Sequence, residues 1–125
     1  VPLKVLYVED DPDIQVIARI ALKDLGGFDV RACVSGDQAL AAIADFQPDL
    51  LLLDVMMPGM DGPTLLTHLR KTANGASPPA IFMTARVQRS EIEQYLALGA
   101  TSVIAKPFDP LTLAGQIRQT LAETQ

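Results

Sequence analysis

Unbroken apolar runs alternate five times along the chain with stretches whose apolar positions recur every three to four residues. Leu3 and Val5 to Val8 form the first run, which reads as a strand covered on both faces. From Pro12, a favourable first helical position, Ile14, Ile17, Ala18, Ala21, Leu22 and Leu25 recur at helical spacing, and Gly26-Gly27 closes the helix. Val30 to Val34 is a second, weaker strand. Ser35, or Asp37 just after it, caps a helix that turns Ala39, Ala42, Ile43 and Phe46 inward and stops at Pro48. Asp49 to Asp54 is a third strand without alternation, so both of its faces are covered. Turn formers and methionines fill Val55 to Gly62, and Gly62, Leu65, Leu66 and Leu69 then share one helical stripe. Ala73 to Pro79, made of small residues, Gly and Pro, reads as a mobile loop. Ala80 to Met83 and Val103 to Ala105 are the last strands. Arg89 to Leu98, ended at Gly99, and Pro110 to Glu123, with Leu113, Ile117 and Leu121 inward, are the last helices.

Five strand–helix units joined by short connections predict an α/β fold, a parallel sheet with helices on both faces. With no linker, repeat or low-complexity tract, residues 1–125 read as a single domain. The two doubly wound strand orders both place ligands beyond the carboxyl ends of the strands. The residues at those ends therefore carry the functional question. Strand one is followed by Glu9-Asp10-Asp11, strand three ends in Asp54, strand four meets Thr84 and strand five meets Lys106. In the order 2-1-3-4-5, several carboxylates converge on one crevice beside a hydroxyl and an ammonium. Carboxylates that close raise one another's pKa unless positive charge intervenes. All-oxygen ligands suit a hard divalent ion such as Mg²⁺, and Lys106 adds positive charge from the opposite side.

Composition narrows the function. The chain is 49% hydrophobic and 20% charged, the make-up of a folded globule. Mass scaling reduces its accessible surface from roughly 19,000 to roughly 6,500 Å² on folding, enough for one core without staples. Ten basic residues against fifteen acidic give a net charge of −5, which argues against direct nucleic-acid or anionic-membrane binding. No apolar run approaches the ~20 residues of a membrane span. Lys4 is followed only by Val5 to Val8 before three acids, too short for a signal peptide. The lone Cys33 has no disulfide partner and reads as a small buried hydrophobe, which suits the cytoplasm.

Several residues have plainer readings. Asp11 before Pro12 reads as a helix cap and Asp49 as a turn former, while His68 reads as an exposed helix residue. Met56, Met57 and Met60 read as loop packing, and Arg86 with Arg89 as a solvated helix start. Each site residue also has such a reading when taken singly. Four of five strand ends with complementary polar groups is a joint pattern that those readings do not produce.

Over its whole length the chain resembles the receiver domain of bacterial two-component response regulators, in particular chemotaxis-type receivers. The resemblance rests on Val5-Leu6-Tyr7-Val8-Glu9-Asp10-Asp11-Pro12, on Leu52-Leu53-Asp54-Val55-Met56-Met57-Pro58-Gly59-Met60-Asp61-Gly62, on Met83-Thr84-Ala85, and on Gly99-Ala100 through Lys106-Pro107-Phe108. It implies a flavodoxin-like fold with strand order 2-1-3-4-5 and five helices. It also implies that Asp54 accepts a phosphoryl group from a histidine kinase or phosphotransfer protein. Asp10 and Asp54 would ligate Mg²⁺ (or Mn²⁺), with the backbone carbonyl of Met56 as a further ligand and Glu9 acting through water. Lys106 and Thr84 would contact the phosphoryl oxygens, and Lys106-Pro107 would be cis. The output would pass through the face of helix 4, strand 5 and helix 5 to a downstream protein or fused effector domain. Such a chain is a switch and not an enzyme in the turnover sense.

Two positions bear on the switch. Position 103, commonly Tyr or Phe in the family, is Val103, which cannot report by ring rotation. Met56 and Arg86, two residues beyond Asp54 and Thr84, border the route of attacking water and would tune the phosphoryl lifetime. Other classes fit less well. A haloacid-dehalogenase-type phosphatase needs a second Asp where this chain has Met56. A flavodoxin needs a phosphate loop where Glu9-Asp10-Asp11 would repel phosphate. A degenerate receiver acting only as a protein-binding scaffold is the remaining alternative.

Overall fold

The computed structural model describes residues 2–124. Its sheet has five parallel strands in the order β2-β1-β3-β4-β5, where β1 is Lys4–Val8, β2 Asp29–Cys33, β3 Leu50–Asp54, β4 Ala80–Thr84 and β5 Ser102–Ala105. The flavodoxin-like order is therefore borne out. Helices α1 (Pro12–Arg19), α2 (Gly36–Ala42), α3 (Gly62–Leu69) and α4 (Arg89–Ala97) fill the four crossovers, and α5 (Leu113–Glu123) follows β5.

The unbroken apolar runs are explained by burial on two sides. Every residue of β3 and β4 is buried. Leu51 and Leu53 pack with Leu6, Val8 and Phe82 under α2 and α3, while Leu50 and Leu52 pack with Val5, Tyr7 and Ile81 under α1 and α5. Removing each such leucine from water contributes about 1.5–3 kcal/mol, so the two half-cores fix the register of the central strands. The edge strand β2 alternates instead, with Asp29 and Arg31 exposed. It begins one residue before the apolar run because Asp29 still pairs opposite Lys4.

Local chemistry sets the helix ends. Asp11 caps α1, its carboxylate accepting from Asp13 N (2.9 Å) and Ile14 N (3.3 Å), and Ser35 caps α2 by accepting from Gln38 N. The helical periodicity of the first helix does not persist. Ile20–Leu25 widens into a π-helical turn, so the 3.6-residue phase slips and Leu25 ends 59% exposed instead of inward. Ile17 is also half exposed, on the rim of an apolar recess of about 360 Å³ shared with Ile14, Ala85, Pro107 and Phe108. Helix α5 starts at Leu113 and not at Pro110, because the Asp109 carboxylate first captures Leu111 N in a turn. The Ala73–Pro79 loop, read as mobile, is instead tied down. Arg70 donates to the carbonyls of Gly75 and Pro78, and Asn74 donates to the carbonyl of Ile43.

Candidate functional site

Parallel strands all end at one edge of the sheet, so the side chains just beyond β1, β3, β4 and β5 meet there. Glu9 and Asp10 follow β1, Asp54 is the last residue of β3, Thr84 the last of β4, and Lys106 follows β5. The Lys106 N–H donates to the carbonyl of Thr84 at 2.9 Å, which sets the lysine beside the threonine. The Lys106-Pro107 peptide is cis. From there the lysine side chain crosses the end of the sheet, and Nζ donates to Glu9 Oε1 at 2.8 Å and to Asp54 Oδ1 at 3.1 Å.

Glu9 and Asp54 are 1% and 3% exposed, and one ammonium serves both carboxylates. Asp10, partly exposed, completes the group: one carboxylate oxygen from each of Glu9, Asp10 and Asp54 lies within 4.8 Å of the others. Three carboxylates against one ammonium leave the site short of positive charge. Glu9 shows the consequence. Burial, opposed by its hydrogen bond with Lys106 and reinforced by the neighbouring Asp54, pushes its pKa up to about 7. For Lys106, burial alone would lower the pKa, but its bonds to Glu9 and Asp54 outweigh that and raise it. The field reaches the core as well. The buried Tyr7 phenol is held well above its ordinary pKa, first by burial and then by the charges of Glu9, Asp54 and Asp11. Convergent oxygen donors with excess negative charge fit a hard divalent cation.

Thr84 is buried, and its Oγ1 accepts from Arg86 N at 3.0 Å, tying its hydroxyl to the loop that leads into α4. The Arg86 side chain is itself exposed, as is that of Met56. Val103 lies within β5, opposite Phe82 and away from the carboxylates. Across the sheet from those carboxylates, an aromatic contact comes from elsewhere: Tyr95 of α4 meets Phe82 edge-on, with ring centroids 5.8 Å apart at 88°. His68 is exposed on α3, and Cys33 is buried at the end of β2, where burial raises its thiol pKa against the opposing effect of Arg31.

The β3–α3 loop folds back tightly over the acceptor strand. Gly59 takes a φ of +80°, and Gly62 N donates to the Val55 carbonyl at 2.9 Å. A Cβ on Gly62 would stand 2.5 Å from the carbonyl oxygen of Asp54 and 3.1 Å from Val55 Cα, and neither backbone atom can yield without moving Asp54. Gly62→Ala is therefore expected to destabilise the fold by about 1–3 kcal/mol, measured as a lower thermal midpoint by circular dichroism.

The periodicity of the chain did not single out Gln15. Its carboxamide nitrogen donates to the carbonyls of Glu9 (3.0 Å) and Cys33 (2.9 Å), joining the ends of β1 and β2. One signal was available. Gln15 is in helical phase with the buried Ala18 and Leu22, and an amide in that phase needs internal partners.

Comparison with known proteins agrees with this geometry. A family model for the response regulator receiver domain matches residues 5–118. The chain is 34% identical over 121 residues to the DNA-binding dual master transcriptional regulator RpaA of Synechocystis, a match covering 97% of this chain and 50% of that protein. It spans about half the length of the curated relatives it matches. Among solved structures, the Vibrio cholerae chemotaxis protein CheY4 is similar with a TM-score of 0.88 and 28% identity, covering 96% of this chain and 99% of that one. The receiver domain of sensor histidine kinase PA1611 from Pseudomonas aeruginosa, described with a magnesium ion coordinated in its active-site cleft, is similar with a TM-score of 0.84 and 28% identity. That match covers 98% of this chain and 99% of the other.

Proposed function

Because the chain belongs to the response regulator receiver domain family, we propose that it is a phosphoacceptor switch of a two-component phosphorelay, with Asp54 as the acceptor. The observation that carries this reading is the pair of buried carboxylates, Glu9 and Asp54, that share the Lys106 ammonium beside Asp10. A carboxylate oxygen of Asp54 attacks the phosphorus of a phosphohistidine or a small acyl phosphate. The bond from phosphorus to the donor breaks, and the donor departs with the electron pair, leaving an acyl phosphate on Asp54. Little else is required of the protein except in-line positioning and neutralisation of the phosphoryl oxygens.

Lys106 already touches Asp54 and transfers its ammonium to a phosphoryl oxygen. Thr84 turns its hydroxyl to donate to another. Asp10 and Asp54 would hold Mg²⁺ (or Mn²⁺) directly, Glu9 through water, with the Met56 carbonyl as a further oxygen. When bound, the ion supplies positive charge that this carboxylate-rich site lacks. Met56 and Arg86 border the approach of water and set how long the acyl phosphate lasts.

The donor reads as a histidine kinase or phosphotransfer protein, which must reach the same edge of the sheet, where the apolar recess of Ile14, Ile17, Ala85, Pro107 and Phe108 adjoins Lys106. Readout starts when Thr84 exchanges its bond with Arg86 N for a phosphoryl oxygen, which shifts the Ala85–Gln88 loop and the α4–β5–α5 face. A downstream protein or fused effector domain reads that face. With Val103 in place of a ring, the Phe82–Tyr95 contact links the Thr84 strand to α4. No helix among the described residues is long and apolar enough to cross a membrane, and a cytoplasmic setting accords with this role.

The test is direct. After incubation with Mg²⁺ and acetyl phosphate, the intact protein is expected to gain about 80 Da, the mass of one phosphoryl group, and EDTA should prevent the gain. No gain, together with failure to bind beryllofluoride, would replace this reading with that of a phosphorylation-independent scaffold.

A further inference from the structure

We propose that Gln15 is a positioning residue that sets the Glu9–Asp10 peptide, and with it the carboxylate cluster. The inference rests on the phosphoacceptor reading above. Gln15 lies in the first turn of α1, where its own N–H donates to the Asp11 carbonyl at 3.0 Å. Its side-chain nitrogen donates to the carbonyls of Glu9 and Cys33 at 3.0 and 2.9 Å. Glu9 N donates to the same Cys33 carbonyl at 3.0 Å, so that oxygen takes two donors. One carboxamide thus joins α1 to the ends of β1 and of the edge strand β2. The sheet ladder stops there, and among the described residues the Glu9 carbonyl has no donor besides Gln15.

The peptide bond is planar, so fixing the Glu9 carbonyl fixes the direction in which the chain enters Asp10. Glu9 is held at its other end as well, with Oε1 bonded to Lys106 Nζ and Oε2 to Asp11 N. The Asp10 carboxylate has no hydrogen-bonded side-chain or backbone support among the described residues. Its position follows from its backbone, which Gln15 holds at the Glu9–Asp10 peptide while Glu9 Oε2 holds the next peptide through Asp11 N. A group that orients a ligand without touching the ligated ion alters affinity through geometry, typically by 10–100-fold.

Calorimetric titration with Mg²⁺ on the full chain separates this role from simple carbonyl satisfaction. Three proteins are compared: the wild type, Gln15→Met and Gln38→Met. Gln38 accepts from Val34 N at 3.0 Å, one residue beyond Cys33, and touches nothing in the carboxylate cluster. Gln15→Met is expected to bind Mg²⁺ about 10-fold more weakly, while Gln38→Met keeps wild-type affinity. Wild-type affinity in Gln15→Met, or equal weakening in both variants, would overturn the role of Gln15 while leaving the phosphoacceptor reading in place. A wild type that binds no Mg²⁺ would overturn both. Should Gln15→Met fail to fold, Gln15→Asn, which keeps the amide but is one methylene short, is judged by the same outcomes.

Discussion

Asp54→Asn is expected to take up no phosphoryl group at all from acetyl phosphate in Mg²⁺, where the wild type gains about 80 Da by intact mass. A carboxamide oxygen carries no charge to drive attack on phosphorus, and no other carboxylate stands in its place. Glu9 has both oxygens engaged, by Lys106 and by Asp11 N. Asp10 sits toward solvent at the mouth of the site. The variant should nevertheless fold, because the substitution preserves shape and leaves Lys106 paired with Glu9 at 2.8 Å. It also removes a negative charge that raises the Glu9 pKa, so the thermal midpoint should not fall. A phosphorylated Asp54→Asn protein would show that the acceptor is another residue.

The second large effect is on stability. In EDTA, the wild type should lose stability relative to Glu9→Gln as pH rises from about 4.5 to about 7. The folded protein keeps a proton on Glu9 up to about pH 7, whereas the unfolded chain releases it near 4.5. Between these values the native state binds more protons, so the contribution is complete below the lower value and disappears as pH rises through the upper one. Burial of Glu9 is the main cause, with Asp54 adding to it, and Lys106 offsets only part because it is shared. At 1.4 kcal/mol per pH unit the difference is on the order of 3 kcal/mol. Urea unfolding midpoints at pH 5 and pH 8 measure it. Parallel pH profiles for the two proteins would show that Glu9 is ionised throughout.

The architecture was legible where burial alone decides structure. The apolar runs of β1, β3 and β4 are buried on both faces, and their shortness between polar and turn-forming residues marks them as strands. The acidic and basic residues of the site could be picked out because parallel topology places every strand end on one edge. What escaped were features that depend on a tertiary partner or a change of helical phase. Leu25 and the π-helical turn break a period that the spacing of Ile14 to Leu22 sustains. The Ala73–Pro79 segment has a mobile composition but is held by Arg70 from outside it and by its own Asn74, which reaches out to the Ile43 carbonyl. Val103 marked a missing ring, and nothing in local spacing pointed to Tyr95, eight residues earlier on another element, as the group that meets Phe82.

That contact has a consequence for how α4 leaves the body of the protein. No residue of α4 is fully buried, and the half-buried Tyr95, edge-on against Phe82, is its aromatic anchor. Segments with few buried apolar contacts open at a small fraction of the global unfolding free energy. Helix α4 is thus expected to exchange its amide hydrogens faster than the strands of the sheet. On the switch reading proposed above, events at Thr84 would not have to push the helix anywhere; they would only have to change how long it stays docked, and a binding partner would select the undocked fraction.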